Sequence, residues 1–309
     1  MDVDLIFKIA AIGIIVAVLN QVLIRSGREE QAMMTTLAGL IVVLMMIINE
    51  INTLIVQNTA VSLTAALLNE LMKNGVKVIF CDEKYNPSSE LLPYYGCYNT
   101  SKRYKNQIAW TTETKAFVWE KIIKKKIISQ AELLVERGFY EQATMLYGYA
   151  EEIEPNDMTN REGHAAKVYF NCILGEGRSR REGSFLNGCL NYGYAVILSA
   201  VNREIVADGY LTQMGIWHDN EYNDFNLGCD LMEPLRTFVD RAAVNIETGD
   251  NNFKTKMADT LNLKVKINDK NTTLDLAIRT YVRSVIAALN DGEVSKIVFP
   301  QYVTTDDEL

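Results

Sequence analysis

The chain has 309 residues, 48% of them hydrophobic and 23% charged, and a formal net charge of −8 from 31 Lys and Arg against 39 Asp and Glu. This composition excludes a disordered chain, a collagen-like repeat and a small disulfide-knotted scaffold. The length provides for about two domains, each able to bury a core.

The mean hydropathy of −0.02 is high for a soluble enzyme, and it is unevenly spread. Residues 1–50 carry only eight charged side chains. Between them lie two apolar runs, 5–24 and 33–48, separated by the polar stretch Arg25-Ser-Gly-Arg-Glu-Glu-Gln. A membrane span needs about 20 apolar residues and tolerates about 17, so the first run qualifies and the second is marginal. The pattern predicts a hydrophobic two-helix hairpin, with a transmembrane helix and a membrane tether through residues 5–48. The alternative is a pair of buried soluble helices. Arg25 and Arg28 would face the cytoplasm, although two adjacent glutamates weaken that vote. The acidic start and the missing small-residue cleavage site fit a secretory signal poorly.

Past Glu50 the composition changes. All five Pro, all five Cys and both His fall in residues 51–309, with 28 basic against 34 acidic side chains. Residues 51–57 read as a strand. Residues 61–74 have helical apolar spacing and stop at Gly75, a C-terminal cap residue. Residues 76–81 alternate and are β-branched, as in a strand, and 86–89 read as a turn. Residues 51–100 therefore form a small β-rich or α/β part. From about residue 106 the signal is helical, over 116–137, 141–153, 161–174, 186–208, 227–247 and 273–289. Residues 101–309 are expected to be a mainly α-helical domain, so the fold class is α+β. The acidic tail 304–309 reads as loose.

The five cysteines, at 81, 97, 172, 189 and 229, include no Cys-x-x-Cys pair. That excludes a zinc ribbon, disfavours a disulfide framework and suits a reducing compartment with buried thiols. No phosphate-binding Gly-x-x-x-x-Gly-Lys-Ser/Thr loop occurs. Two histidines cannot build a His-rich cage, but one His with several carboxylates suits Mg²⁺ or Mn²⁺. His218 lies in Gly215-Ile-Trp-His-Asp-Asn, where a helix passes into a loop. Asp230 and Glu233, three residues apart, share a helix face, and Pro234 puts Glu233 at an irregular point. Glu162 opens an amphipathic helix that also carries Arg161 and Lys167. Taken singly, each has an ordinary explanation as a solvated carboxylate or a satisfied histidine, and spacing alone identifies no site.

The wording of the segments is more specific. Asn160-Arg-Glu-Gly-His-Ala-Ala, Leu190-Asn-Tyr-Gly-Tyr, Gly215-Ile-Trp-His and Asp230-Leu-Met-Glu-Pro-Leu-Arg resemble the CRISPR adaptation integrase, the first CRISPR-associated protein, and its type II branch most. Further matches are Asn58-Thr-Ala-Val-Ser-Leu-Thr, Val78-Ile-Phe-Cys-Asp-Glu-Lys, Leu92-Pro-Tyr-Tyr-Gly and Ile108-Ala-Trp-Thr. The resemblance runs collinearly from about Ile51 to the C-terminus. It implies a metal-dependent DNA endonuclease and integrase that joins a protospacer 3′-hydroxyl to the CRISPR repeat by transesterification. It also implies Glu162, His218 and Glu233 as catalytic residues and ligands of Mg²⁺ or Mn²⁺, with Asp230 as an auxiliary candidate. The implied partners are double-stranded DNA and the second CRISPR-associated protein, and the implied state is a cytoplasmic homodimer. Basic candidates for DNA are Arg161, His164 and Lys167, then Arg178, Arg180 and Arg181, with further clusters at Lys102/Arg103/Lys105 and at Lys121/Lys124/Lys125/Lys126. Phosphate contact competes here with a solvated face.

The front departs from that family. Met1-Asp-Val-Asp-Leu-Ile-Phe-Lys-Ile-Ala, Gly13-Ile-Ile-Val-Ala-Val-Leu and Thr36-Leu-Ala-Gly-Leu-Ile-Val-Val-Leu resemble stage III sporulation protein AC, a short two-helix membrane component. The β-rich N-terminal domain of the integrase is thus truncated to a remnant at 51–100. This puts dimerisation in question and leaves strand edges open. Three readings stand: an integrase with a recombined or misassembled front, a membrane-tethered integrase, and a sporulation-type membrane assembly protein with a vestigial integrase body.

Overall fold

The computed structural model describes residues 3–50, 53–82, 87–91, 93 and 100–303. The chain divides into two compact units, Met1–Ile79 and Phe80–Leu309.

The first unit opens with helices α1 (Val3–Arg25) and α2 (Glu29–Glu50). Asn20 Nδ2 donates to Thr36 Oγ1 at 3.1 Å, and Gly39 packs so closely on Val16 that a Cβ there would overlap its side chain. The expected membrane span is not supported: among the described residues no helix is long and apolar enough to cross a membrane. Asn20, Gln21, Thr35 and Thr36 interrupt the apolar runs. The Asn20–Thr36 hydrogen bond uses two of them to join the helices rather than leaving an all-apolar stretch. The side chains at 5–9 and 44–48 lie outside the described residues. Strand β1 (Thr53–Val56), helix α3 (Ala65–Lys73) and strand β2 (Lys77–Cys81) follow, near the strand, helix and strand expected from the sequence. Thr64 Oγ1 caps α3 by accepting from Leu67 N, and Gly75, at φ +70°, takes the left-handed turn into β2. β2 pairs with β1 and buries Val78 and Ile79.

The second unit begins with β3 (Pro87–Leu91), where Ser88 Oγ donates to the Phe80 carbonyl at 3.2 Å. A strand thus stands where the sequence predicted a turn. Residue 86, Cys97, the Leu92-Pro-Tyr-Tyr-Gly motif apart from Pro93, and the tail 304–309 lie outside the described residues. Helices α4 (Thr100–Ile108), α5 (Thr112–Glu136), α6 (Tyr140–Glu151), α7 (Arg161–Leu174) and α8 (Phe185–Ala207) follow. After them come α9 (Asn226–Met232), α10 (Arg236–Ala243), α11 (Phe253–Ala258) and α12 (Leu274–Asp291). α5 and α8 form the core. α8 is buried on nearly every side from Cys189 to Ile205, the polar Asn202, Arg203 and Glu204 included. The helix expected over 227–247 is broken by a 3₁₀ turn at Glu233–Leu235, because Pro234 has no N–H for the helical ladder.

A small sheet of β4 (Lys264–Ile267), β5 (Lys270–Thr273) and β6 (Gln301–Tyr302) has the order β5-β4-β6. β4 pairs antiparallel with both neighbours. Asn268 and Asp269 turn the hairpin with φ of 50° and 59°, the left-handed pair of a type I′ turn. The four described cysteines are free, and burial pushes their thiols up, Cys189 to about 11.

A buried polar knot ties these helices together. Asp240 of α10 accepts from the hydroxyl of Tyr169 on α7 at 2.7 Å and from that of Tyr194 on α8 at 2.6 Å. Burial nonetheless pushes the Asp240 carboxyl up. Asp240→Ala would strand two buried hydroxyls and should cost about 3 kcal/mol, whereas Tyr169→Phe should cost about 1 kcal/mol. Urea denaturation followed by circular dichroism measures both. Equal losses would mean that the carboxylate does not bind the two tyrosines together.

Candidate active site

The first turn of α7 places Glu162. Asp157 accepts from the amides of Arg161 at 2.7 Å and Glu162 at 2.9 Å, satisfying helix N-terminal donors. Asn160 takes the left-handed conformation just before the helix, and its side chain fills the space where a Cβ on residue 163 would stand, 2.6 Å from its Oδ1. A side chain at 163 would therefore push Asn160 out of this place.

Asp230, on α9 and fully buried, organises the loop that carries His218. One carboxylate oxygen accepts from the amides of Ile216 at 2.5 Å and Trp217 at 3.0 Å. The other accepts from the amide of His218 at 3.1 Å and pairs with His218 Nδ1 at 2.5 Å. A Cβ on Gly215 would strike the His218 carbonyl and stand 2.8 Å from the Asp230 carboxylate, so this loop closes only over glycine. Because a carboxylate accepts, Nδ1 carries the proton, and Nε2 is left as the imidazole's open nitrogen. The hydrogen bond to Asp230 raises the His218 pKa, burial opposes it, and the charges of Asp230, Glu233 and Glu162 add to the rise. Trp119 of α5 braces the loop. It stacks on Trp217 at 5.6 Å between ring centroids and 7° between planes, and meets the His218 ring edge-on at 5.9 Å.

Seven residues further along α5, Lys126 lies on the same helix face as Trp119. Its Nζ stands 2.5 Å from Glu162 Oε1 and 2.6 Å from Glu233 Oε2, with 9% of the side chain exposed. Burial alone would depress its pKa, but the Glu233 and Glu162 carboxylates hold it above the ordinary value. Glu233 sits in the 3₁₀ turn, where Arg236 also holds it through Nε at 3.0 Å and Nη2 at 2.9 Å. Burial pushes its carboxyl up; Lys126 and Arg236 more than reverse this and hold it at about 2. Arg236 in turn lies 4.6 Å above the Tyr194 ring.

Glu162, His218, Asp230 and Glu233 thus come together, with Asp230 behind His218 rather than beside Glu162. Two carboxylates around one positive charge, next to an imidazole with an open Nε2, are the donor types that a hard divalent cation takes. As arranged, no three His, Cys, Asp or Glu side chains among the described residues stand around one point; the Lys126 ammonium lies between the two glutamates. Reading Lys126 as part of a phosphate-facing cluster is corrected by its burial. Lys124 and Lys125 pair with Glu151 and Glu132, and Lys121 is exposed. His164, Lys167, Arg178 and Arg181 are also exposed. Arg161 pairs with Glu152 at 2.7 Å. Arg180 turns inward to Asn187 and Asn191 and packs on Phe170 and Tyr194. Sequence reasoning missed Lys126, Arg236 and Trp119 as parts of the site. Nothing in their spacing marks them, because their partners lie on other elements.

The sequence profile of the family described as CRISPR associated protein Cas1 matches residues 27–273. The CRISPR-associated endonuclease Cas1 of Neisseria meningitidis serogroup C (strain 8013) is 31% identical over 261 residues, covering 82% of this chain and 86% of that protein. Stage III sporulation protein AC of Bacillus subtilis (strain 168) is 45% identical over 47 residues, covering 15% of this chain and 69% of that protein. Among solved structures, a casposase bound to its integration product superposes with a TM-score of 0.66 at 19% identity, covering 78% of this chain and 79% of that one. A Cas6-RT-Cas1–Cas2 complex superposes with a TM-score of 0.62 at 17% identity, covering 79% of this chain and 31% of that one. These two likenesses establish the shared fold.

Glu233→Gln would leave the buried Lys126 and the half-buried Arg236 with one carboxylate fewer, and should cost about 3 kcal/mol at neutral pH. The depressed carboxyl contributes stability that is complete above its unfolded value of 4.5 and is lost as pH falls toward about 2. Denaturation midpoints between pH 5 and 2.5 should therefore fall more steeply in wild type than in the variant. Parallel curves would show that Glu233 is not held ionised by its neighbours.

Proposed function

This chain belongs to the CRISPR-associated Cas1 family, and on that premise we propose that it is the DNA endonuclease and integrase of CRISPR spacer acquisition, using Mg²⁺ or Mn²⁺. The observation that carries the metal reading is the convergence of Glu162 and Glu233, from distant parts of the chain, on one positive charge whose carboxylates also act on His218.

In this reading Glu162, Glu233 and His218 Nε2 hold the ion. When bound, it neutralises charge on the phosphoryl oxygens and favours the ionised form of the attacking oxygen. The protein's own groups do the rest. Asp230 fixes the tautomer and orientation of His218, so that Nε2 faces outward. Arg236 pins Glu233 on a turn that Pro234 prevents from continuing as helix. The Trp119–Trp217 stack closes one side of the loop. His164 and Lys167, on the helix that Glu162 opens, offer exposed contacts for phosphates, and Arg178 and Arg181 offer more. The reaction exchanges one phosphodiester for another. The protospacer 3′-oxygen bonds to phosphorus at the repeat boundary, the repeat 3′-oxygen leaves, and the proton lost by the first is regained by the second. Water as the attacking group gives endonuclease cleavage.

The substrate in this reading is double-stranded DNA, protospacer and repeat, and the partner is a Cas2-type protein. The fold shared with a casposase on its integration product and with a Cas1–Cas2 assembly supports both. Residues 51–100 are proposed to be a remnant of the family's β-rich N-terminal domain, 101–309 the catalytic domain, and the cytoplasm the place of work for 51–309. Asp230 serves as the positioning carboxylate of His218, with its oxygens already engaged.

The test is spacer integration into a repeat-containing plasmid by the full chain with a Cas2 partner and Mn²⁺ or Mg²⁺. Glu162→Ala, His218→Ala and Glu233→Ala should each lower joining by at least about 100-fold. Unchanged product yield in any of the three removes that residue from the site, and activity in excess chelator contradicts the metal requirement.

A further inference from the structure

The two glutamates of the proposed metal site do not wait apart for an ion; a lysine of the same chain holds them. Lys126 Nζ bridges Glu162 and Glu233 at 2.5 and 2.6 Å. Arg236 adds a second cation, so two carboxylates face two positive charges and the group is neutral. A divalent ion entering this arrangement would meet an ammonium at the point between the carboxylates. Like charges that close repel strongly in a water-poor site.

We propose that Lys126 is the resident counter-cation of the metal site, holding Glu162 and Glu233 together before a divalent ion binds and giving up that place when it does. The inference rests on reading Glu162, His218 and Glu233 as the metal ligands. It makes Lys126 a positioning residue with two opposed effects. Its charge keeps the buried Glu233 carboxylate and the half-buried Glu162 carboxylate from repelling each other in the metal-free protein, and the same charge competes with the ion. Loading then becomes an exchange of one cation for another, and the protein without metal keeps its ligands on station.

Mn²⁺ binding to the full chain, read from the electron paramagnetic resonance of free Mn²⁺, tests this in wild type, Lys126→Met and Lys126→Gln. Both variants should bind Mn²⁺ at least about tenfold more tightly than wild type. Metal-free Lys126→Met should also melt at a lower temperature, and Mn²⁺ should raise its Tm by more than it raises that of wild type. If wild type binds Mn²⁺ and neither variant binds it more tightly, Lys126 is not the competing cation. If no form binds Mn²⁺, the metal reading itself fails, and the inference falls with it. Should the variants not fold, the wild-type chain gives the answer by acetic anhydride labelling and mass spectrometry. Mn²⁺ should raise acetylation of Lys126, and protection that is unchanged at saturating Mn²⁺ overturns the exchange.

Discussion

A buried ammonium between two carboxylates sets the geometry of the candidate site. Lys126 cannot be buried alone without a large desolvation penalty, so Glu162 and Glu233 must reach it. That requirement draws the first turn of α7 and the 3₁₀ turn at Glu233–Leu235 against the middle of α5. From Glu233 the polar thread continues through Arg236, over the Tyr194 ring, to Asp240, and returns to α7 through Tyr169. α5, α7, α8 and α10 are thereby tied by one set of hydrogen bonds and charges. Such networks stabilise less than well-packed apolar side chains of the same volume. Their value is geometric: they fix where two carboxylates point.

The histidine is placed by a separate device that meets the first on α5. Asp230 uses both oxygens on three loop amides and Nδ1 of His218, so the loop and the ring are oriented by the same carboxylate. Trp119 presses the loop from α5 one side and two turns away from Lys126. One helix thus carries both the brace for the imidazole and the charge that gathers the glutamates. Neither role demands a basic protein. Several acidic side chains are held in ion pairs at the surface, as Glu151, Glu152 and Glu136 are by Lys124, Arg161 and Arg241. A net charge of −8 therefore coexists with exposed cations at Lys121, Lys167, Arg178 and Arg181.

Much of this was legible in the sequence, for reasons that differ by residue. α7 was read at its observed bounds because its amphipathic spacing is local. The apolar spacing over 227–247 is helical throughout, and Pro234 marks the point where the ladder opens into the 3₁₀ turn. The β4–β5 hairpin was missed, since four-residue strands offer too little alternation and Asn268-Asp269 is a weaker turn signal than Asn-Gly. The membrane tether rested on apolar content and on the likeness of the front to a short membrane protein. The pairing of Asn20 with Thr36, which joins α1 to α2, is a tertiary fact that hydropathy does not report. Glu162, His218 and Glu233 were found through motif wording, because each looks ordinary by itself. Lys126 was placed in a surface cluster with Lys121, Lys124 and Lys125, and only the fold separates it from them.

The central claim is that Glu162, Glu233 and His218 form a divalent-cation site whose place Lys126 fills until the ion arrives. A crystal of the full chain soaked in Mn²⁺ and measured at the manganese absorption edge tests it most directly. One anomalous peak should appear, ligated by Glu162, Glu233 and His218 Nε2, with Lys126 Nζ moved out from between the carboxylates. A saturated crystal with no peak there, or with Lys126 still bridging the two glutamates beside a peak elsewhere, would contradict it.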